Sequence, residues 1–154
     1  MIEKYIAAIN QLILPCGVVS SLKCRVSSDV LLLTAEPIQG EKLFCSICQQ
    51  KCPSKGKSRT RFIRHHDFEG PLVYVQIQFP RVICPHHGFV VCSQSFCDAK
   101  CHYSRDFEAS VATRFVASEL TPPDFAQQIR VGLSTLRRIL ERHIKRHRAK
   151  KATR

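Results

Sequence analysis

Two short spacings carry the chemistry most open to reading: Cys45-Ser-Ile-Cys48 and Cys84-Pro-His-His87. Ligands three positions apart sit on a tight knuckle, where both donor atoms can face one point. Two such knuckles complete a tetrahedron, and three thiolates with one imidazole suit Zn²⁺. With all four ligands from protein, the zinc is expected to be structural, one ion per chain, with no open position for catalysis. The thirty-five residues between the pairs read as an antiparallel hairpin that closes its ends side by side. His86 is the rival to His87 as fourth ligand, and the two-residue spacer favours His87. The plain alternative is a set of ordinary buried cysteines. A redox role for Cys45 and Cys48 would want a thioredoxin-like βαβ context, whereas the flanks here are loop and hairpin. Cys52, Cys92, Cys97, Cys101 and His102 could supply a second site, but Cys97-x3-Cys101-His102 equally fits one helical face and plain packing. Cys16 and Cys24 read as core.

A second constellation lies near the end of the chain. From about Thr135 to about His147 the pattern is helical, with Leu136, Ile139, Leu140, His143, Ile144 and His147 on one face. Thr135, Arg138, Glu141, Arg142 and Lys145 lie opposite, with Arg137 beside them. Residues 123–130 read as a short helix, Val131-Gly132-Leu133 as a turn and Ser134 as an N-cap. That is the helix-turn-helix order, whose second helix enters the major groove of duplex DNA. Arg there can bind guanine bidentately, while flanking Lys and Arg neutralise phosphate. A free-standing basic helix for a membrane surface is the weaker reading, because the helix-turn context is present. Arg59, Arg61 and Arg64 on a strand read as a second, sequence-blind phosphate contact.

Elements must position these groups. Ile2, Tyr5, Ile6, Ile9 and Ile13 predict a short amphipathic helix over 2–14, stopped by Pro15-Cys16-Gly17. Val18–Val26 and Val30–Ala35, split by Ser27-Ser28-Asp29, predict a hairpin. Arg59–Phe68 and Leu72–Ile83 predict a second hairpin around Glu69-Gly70-Pro71, with Pro80 marking an edge or a bulge. From Ser104 onward, Phe107, Val111, Ala112, Phe115 and Val116 form a helical stripe that Thr121-Pro122-Pro123 breaks. The expected fold class is α+β, a small β-rich zinc-finger module followed by an all-helical helix-turn-helix module. Its segments are 1–44, 45–103 and 104–154.

Bulk properties bound the function. At 154 residues and 44% hydrophobic content the chain can bury a core. Its net charge of +12 makes a polyanion the expected partner. Residues 130–154 hold ten Lys/Arg and one acid, whereas 1–129 hold fourteen and eleven, so the charge is concentrated like a footprint. No signal peptide and no membrane-length apolar run is visible, so a cytoplasmic, nucleoid-associated protein with reduced cysteines is expected. The twelve acids form no paired pattern, so an enzyme that cleaves DNA is not expected.

The ordered set of motifs resembles the N-terminal region of bacterial insertion-sequence transposases of the ISL-type group, which carry a zinc finger followed by a helix-turn-helix. The matching stretches are Val30–Pro37, Cys45–Cys48, the basic run through Arg61 to Asp67-Phe-Glu-Gly70, Phe79–Cys84 and Gly132–Leu140. The second Cys-x-x-Cys of that family is here Cys84-x-x-His87, which zinc tolerates, and the turn after Gly132 looks shorter than usual. The resemblance implies sequence-specific binding of double-stranded DNA at transposon terminal repeats, without the family's catalytic carboxylate domain. A zinc-dependent transcriptional regulator or transposition inhibitor is the alternative. The sequence leaves a homodimer open.

Overall fold

The computed structural model describes residues 19–38, 42–65 and 71–153. Among them are the strands β1 (Val19–Val26), β2 (Val30–Pro37), β3 (Lys42–Phe44), β4 (Lys51–Lys57), β5 (Arg61–Arg64), β6 (Leu72–Ile77), β7 (Pro80–Cys84) and β8 (Gly88–Val91). The helices are α1 (Arg105–Ala117), α2 (Pro122–Gln128) and α3 (Leu133–Ala152). The class is mixed α+β. The chain divides into two units, with the break between Ser104 and Arg105. The amphipathic segment 2–14 and the expected turn at Glu69-Gly70 lie outside the described residues.

The first unit holds two four-stranded sheets. One has the order β1-β2-β6-β5. Its β1–β2 hairpin turns through Ser27-Ser28-Asp29, closed by the Ser27 amide donating to the Val30 carbonyl at 2.9 Å. Alternation buries Leu31, Leu33 and Ala35 on β2, and Val73, Val75 and Ile77 on β6. These two strands pair in parallel, Val30 against Leu72 through Ala35 against Ile77. The other sheet has the order β3-β4-β7-β8. Its two edges meet, because Cys45 bridges Cys92 and the Ser93 amide donates to the Phe44 carbonyl at 2.7 Å. A single hydrophobic cluster runs from Val19 to Cys97 and serves both sheets.

The sequence reading joined Leu72–Ile83 into one arm, and the structure splits it. β6 ends at Ile77, and β7 starts at Pro80 in the other sheet. Phe79 is the pivot: it is buried, its amide donates to Ser58 Oγ at 2.9 Å, and its carbonyl accepts from the Ser58 amide at 2.8 Å. Pro80 brings no N–H to a ladder, so a strand crossing from sheet to sheet suits it. The knuckles are therefore brought together by β4 pairing with β7, Ser54 against Val82 and Lys57 against Pro80, and not by one long hairpin.

The second unit is helical. α2 begins with Thr121 as N-cap, whose hydroxyl accepts from the Asp124 amide at 3.5 Å and donates to Asp124 Oδ2 at 2.5 Å. Pro122 and Pro123 occupy the first helical positions, where their missing N–H groups cost nothing. α2 ends in a Schellman motif: the Val131 amide donates to the Ala126 carbonyl and the Arg130 amide to the Gln127 carbonyl, both at 3.0 Å. Arg130 takes the left-handed position, φ 54°. α3 then starts at Leu133 with Gly132 as N-cap, two residues before the helix start expected from Ser134. It runs to Ala152, five residues beyond the expected end at His147.

Candidate metal centre and cationic helix

The metal centre is built from two matching turns. Cys45 directly follows β3, and Cys48 lies in the turn that leads into β4. Cys84 ends β7 and His87 closes the turn into β8. In the first turn the Gln49 amide donates to the Cys45 carbonyl at 3.0 Å, and the Cys45 amide to the Gln50 carbonyl at 2.9 Å. Each turn is followed by a residue in the left-handed region, Gln49 at φ 59° and Gly88 at φ 66°. The Ile47 amide points at Cys45 Sγ, 3.4 Å away. Such amides aim positive partial charge at the sulfur.

The four donor atoms converge. Cys48 Sγ lies 3.6 Å from Cys84 Sγ, Cys84 Sγ lies 3.4 Å from His87 Nδ1, and Cys45 Sγ lies 3.7 Å from the same nitrogen. All four lie within 4.8 Å of one another. A tetrahedral ion with bonds of about 2.3 Å to sulfur and 2.0–2.1 Å to nitrogen needs S···S edges of about 3.8 Å and S···N edges of about 3.6 Å. The three separations between named pairs match within a few tenths of an ångström, so the cluster could hold one metal ion. His87 supplies the fourth donor, whereas His86 is exposed and meets the His87 ring edge-on at 6.4 Å between centroids.

The electrostatics suit a cation. The Cys48 amide lowers the Cys45 thiol, with the Ile47 amide adding to it. Burial pushes Cys84 up, but the amides of His86 and His87 and the neighbouring sulfurs more than offset it, bringing it down to about 7. Cys48 is held above its ordinary value: the Gln50 amide lowers it, but burial and the sulfurs of Cys84 and Cys45 outweigh that. Crowded thiols of this kind resist losing their last proton until a cation joins them.

The remaining cysteines do not repeat the pattern. Among the described residues only these four form a group of three or more ligands able to hold a metal. Cys52 is buried on β4, donates to the Gln50 carbonyl at 3.3 Å and has its thiol pushed up, mainly by burial. Burial likewise pushes Cys97 up to about 11. Gln94 brackets that residue, its Oε1 accepting from the Cys97 amide at 3.0 Å and its Nε2 donating to the Cys97 carbonyl at 2.6 Å.

The cationic residues fall into two groups. On α3, Leu136 and Ile139 are fully buried, and Ser134, Arg137, Arg138, Glu141, Lys145 and Arg148 are exposed. Those spacings of three and four make one solvent-facing stripe. Thr135 is half-buried. Arg142 turns toward α1: its Nε donates to Glu108 Oε1 at 2.8 Å, and Arg146 pairs with Glu108 Oε2 at 2.5 Å. Glu108 is 1% exposed, so two arginines neutralise a buried carboxylate that sequence reading passed over. The signal was a lone acid inside the Phe107–Val111 stripe. Val116, at the other end of that stripe, is 85% exposed.

In the first unit, Arg59 is exposed, but the face it shares with Arg61, Ile63 and His65 turns inward along β5. Ile63 and His65 are fully buried, and His65 Nδ1 lies 2.7 Å from Ser104 Oγ. The Arg61 guanidinium stacks on Phe79, 5.6 Å from the ring centre, and donates to the Cys101 carbonyl. Arg64 is 4% exposed and belongs to the interior of the sheet. Among the described residues no helix is long and apolar enough to cross a membrane. No family model, curated protein or solved structure matches the chain.

Proposed function

We propose that this is a zinc-stapled protein that binds double-stranded DNA in a sequence-selective way through α3. One observation carries the reading: a short capped helix, a tight turn and a long helix whose outer stripe presents Arg137, Arg138, Lys145 and Arg148 while Leu136 and Ile139 are buried. A helix held by its apolar side, with its first turn free of acids, suits the major groove. Arg138, one turn from the helix start, is the residue for base edges. Arg142 is committed to Glu108 and contributes by fixing α3, while Thr135 and Lys145 flank the reading position. Arg59 remains a sequence-blind phosphate contact.

The metal is zinc in a structural role. Three thiolates and an imidazole favour that ion, and four protein ligands leave no position for substrate. The ordered motifs that resemble insertion-sequence transposases make transposon terminal repeats the proposed target, bound without a carboxylate-based cutting step. The test is competition binding with the Arg138→Ala protein. The expected result is a loss of about 1–3 kcal/mol on the preferred duplex, with relaxed base preference. Equal weakening on every duplex would remove the base-reading role.

A further inference from the structure

The outer face of the metal-bearing sheet combines exposed aromatic rings with cations and has no acid. Residues 42–57 and 80–91 contain Lys42, Lys51, Lys55, Lys57 and Arg81, and not one Asp or Glu. Strand register decides which side chains share the outer face. Leu43, Cys45, Cys52, Val82, Cys84 and Cys92 point inward and are buried. Their neighbours point outward. Phe44 is paired with Lys51, Arg81 with Val91, and Ile83 with Phe89, so each pair lies on one side of the sheet. The Cys45–Cys92 bridge joins the two edges and sets Phe44 diagonal to Val91. Phe44 is 50% exposed, Phe89 53% and Val91 36%. The Arg81 guanidinium lies over the Phe89 ring, 5.4 Å from its centre, and donates to the Phe89 carbonyl at 3.4 Å.

An outward apolar row is costly to leave in water, and this one is bordered by charge of a single sign. A duplex would present a phosphate wall to these rings and leave them unused. An unpaired strand would use both features, with bases stacking on Phe44 and Phe89 and phosphates lying against Lys51, Lys55 and Arg81. Phe89, already stacked with Arg81, is pre-organised for a base on its open side. We infer that this face is a binding surface for single-stranded DNA, separate in chemistry from the duplex-reading stripe of α3. The choice of DNA over RNA rests on the proposed duplex-binding function, whereas the stacking argument does not.

The experiment uses the full chain and fluorescence-labelled 12-nucleotide strands of mixed sequence, alongside a labelled duplex, in one buffer. Phe44→Ala, Phe89→Ala and Phe89→Leu are compared with the unchanged protein and with Arg138→Ala, after checking that each holds its metal. Each Phe→Ala change is expected to weaken single-strand binding about 5- to 160-fold, the span of one lost base stack, and to leave duplex selectivity in place. Phe89→Leu is expected to behave like Phe89→Ala, because leucine keeps the apolar area and loses the ring face. Arg138→Ala is expected to leave single-strand affinity unchanged, so failure of the duplex reading and failure of this inference give different patterns. Full binding by Phe89→Leu, or single-strand affinity untouched in both alanine variants, would overturn the inference and point to an apolar protein contact. RNA strands bound much more tightly than DNA would overturn the choice of DNA.

Discussion

Cys84 lies between two other donors, with Cys48 Sγ at 3.6 Å and His87 Nδ1 at 3.4 Å. Replacing it by serine removes a soft donor from the middle of the set. Cys84→Ser should bring bound zinc from about one ion per chain to near none by elemental analysis, whereas Cys97→Ser should leave it unchanged. Retained zinc in Cys84→Ser would remove this residue from the site. The site should also be acid-labile. Cys84 is lowered from its ordinary value of 9.0 to about 7 in the fold. A lowered group stabilises the fold fully above its unfolded value, and that contribution is lost as pH falls through the folded one. Protons therefore compete with the metal for its thiolates as pH falls. Titration with a zinc indicator should show release on acidification, with no release on moving from pH 7 to pH 9. Glu108 is the other decisive residue. Arg142 and Arg146 face it and offset the cost of its burial. Glu108→Gln should lower stability by about 2 kcal/mol or more in denaturant titration, somewhat below the full cost of breaking a buried pair because both arginines keep partial access to water. A change under half that size would mean the triad is not what holds α1 against α3.

Among the elements, the two knuckles share a left-handed position and fill it with different residues. Gly88 adopts φ 66° without strain, and a Cβ there would meet nothing within 4 Å. Gln49 adopts φ 59° with a side chain, at a cost of about 1–2 kcal/mol. Gln49→Gly should therefore raise stability by up to about 1 kcal/mol, and Gly88→Ala should lower it by a similar amount, with metal content unchanged in both. Thermal melts of the two variants check this, and shifts of the same sign would contradict it. The same positions show what could be read in advance. The knuckle spacings, the β1–β2 hairpin and the α2–turn–α3 order were legible because ligand spacing and apolar period are local. The crossing from β6 to β7 was not, because Leu72 through Ile83 reads as one alternating arm and the switch depends on Phe79 docking beside Ser58. The start of α3 was missed because Arg130 closes α2 where glycine is the usual signal. Burial of Arg64 and the pairing of Arg142 with Glu108 are tertiary facts, invisible in a charge count.

For the whole molecule, the charge pattern and the metal centre divide the work. In the first unit two small sheets share one hydrophobic cluster, and the knuckles pin the β3-β4-β7-β8 sheet, the kind of staple that small β units need. Chelation should therefore unfold it, whereas the second unit draws on Leu136, Ile139, Phe125 and the Glu108 triad. The strongly basic end, ten Lys/Arg and one acid over 130–154, should make DNA affinity fall steeply with salt. Selectivity should come from a few side chains on α3. Selection of bound duplexes from a random pool, run with the unchanged protein and with Arg138→Ala, tests that claim most directly. The account predicts one enriched sequence motif for the unchanged protein and a motif degenerate at one or two positions for the variant. A pool that stays random after repeated selection, while salt-dependent binding persists, would contradict it and leave a sequence-blind binder of DNA.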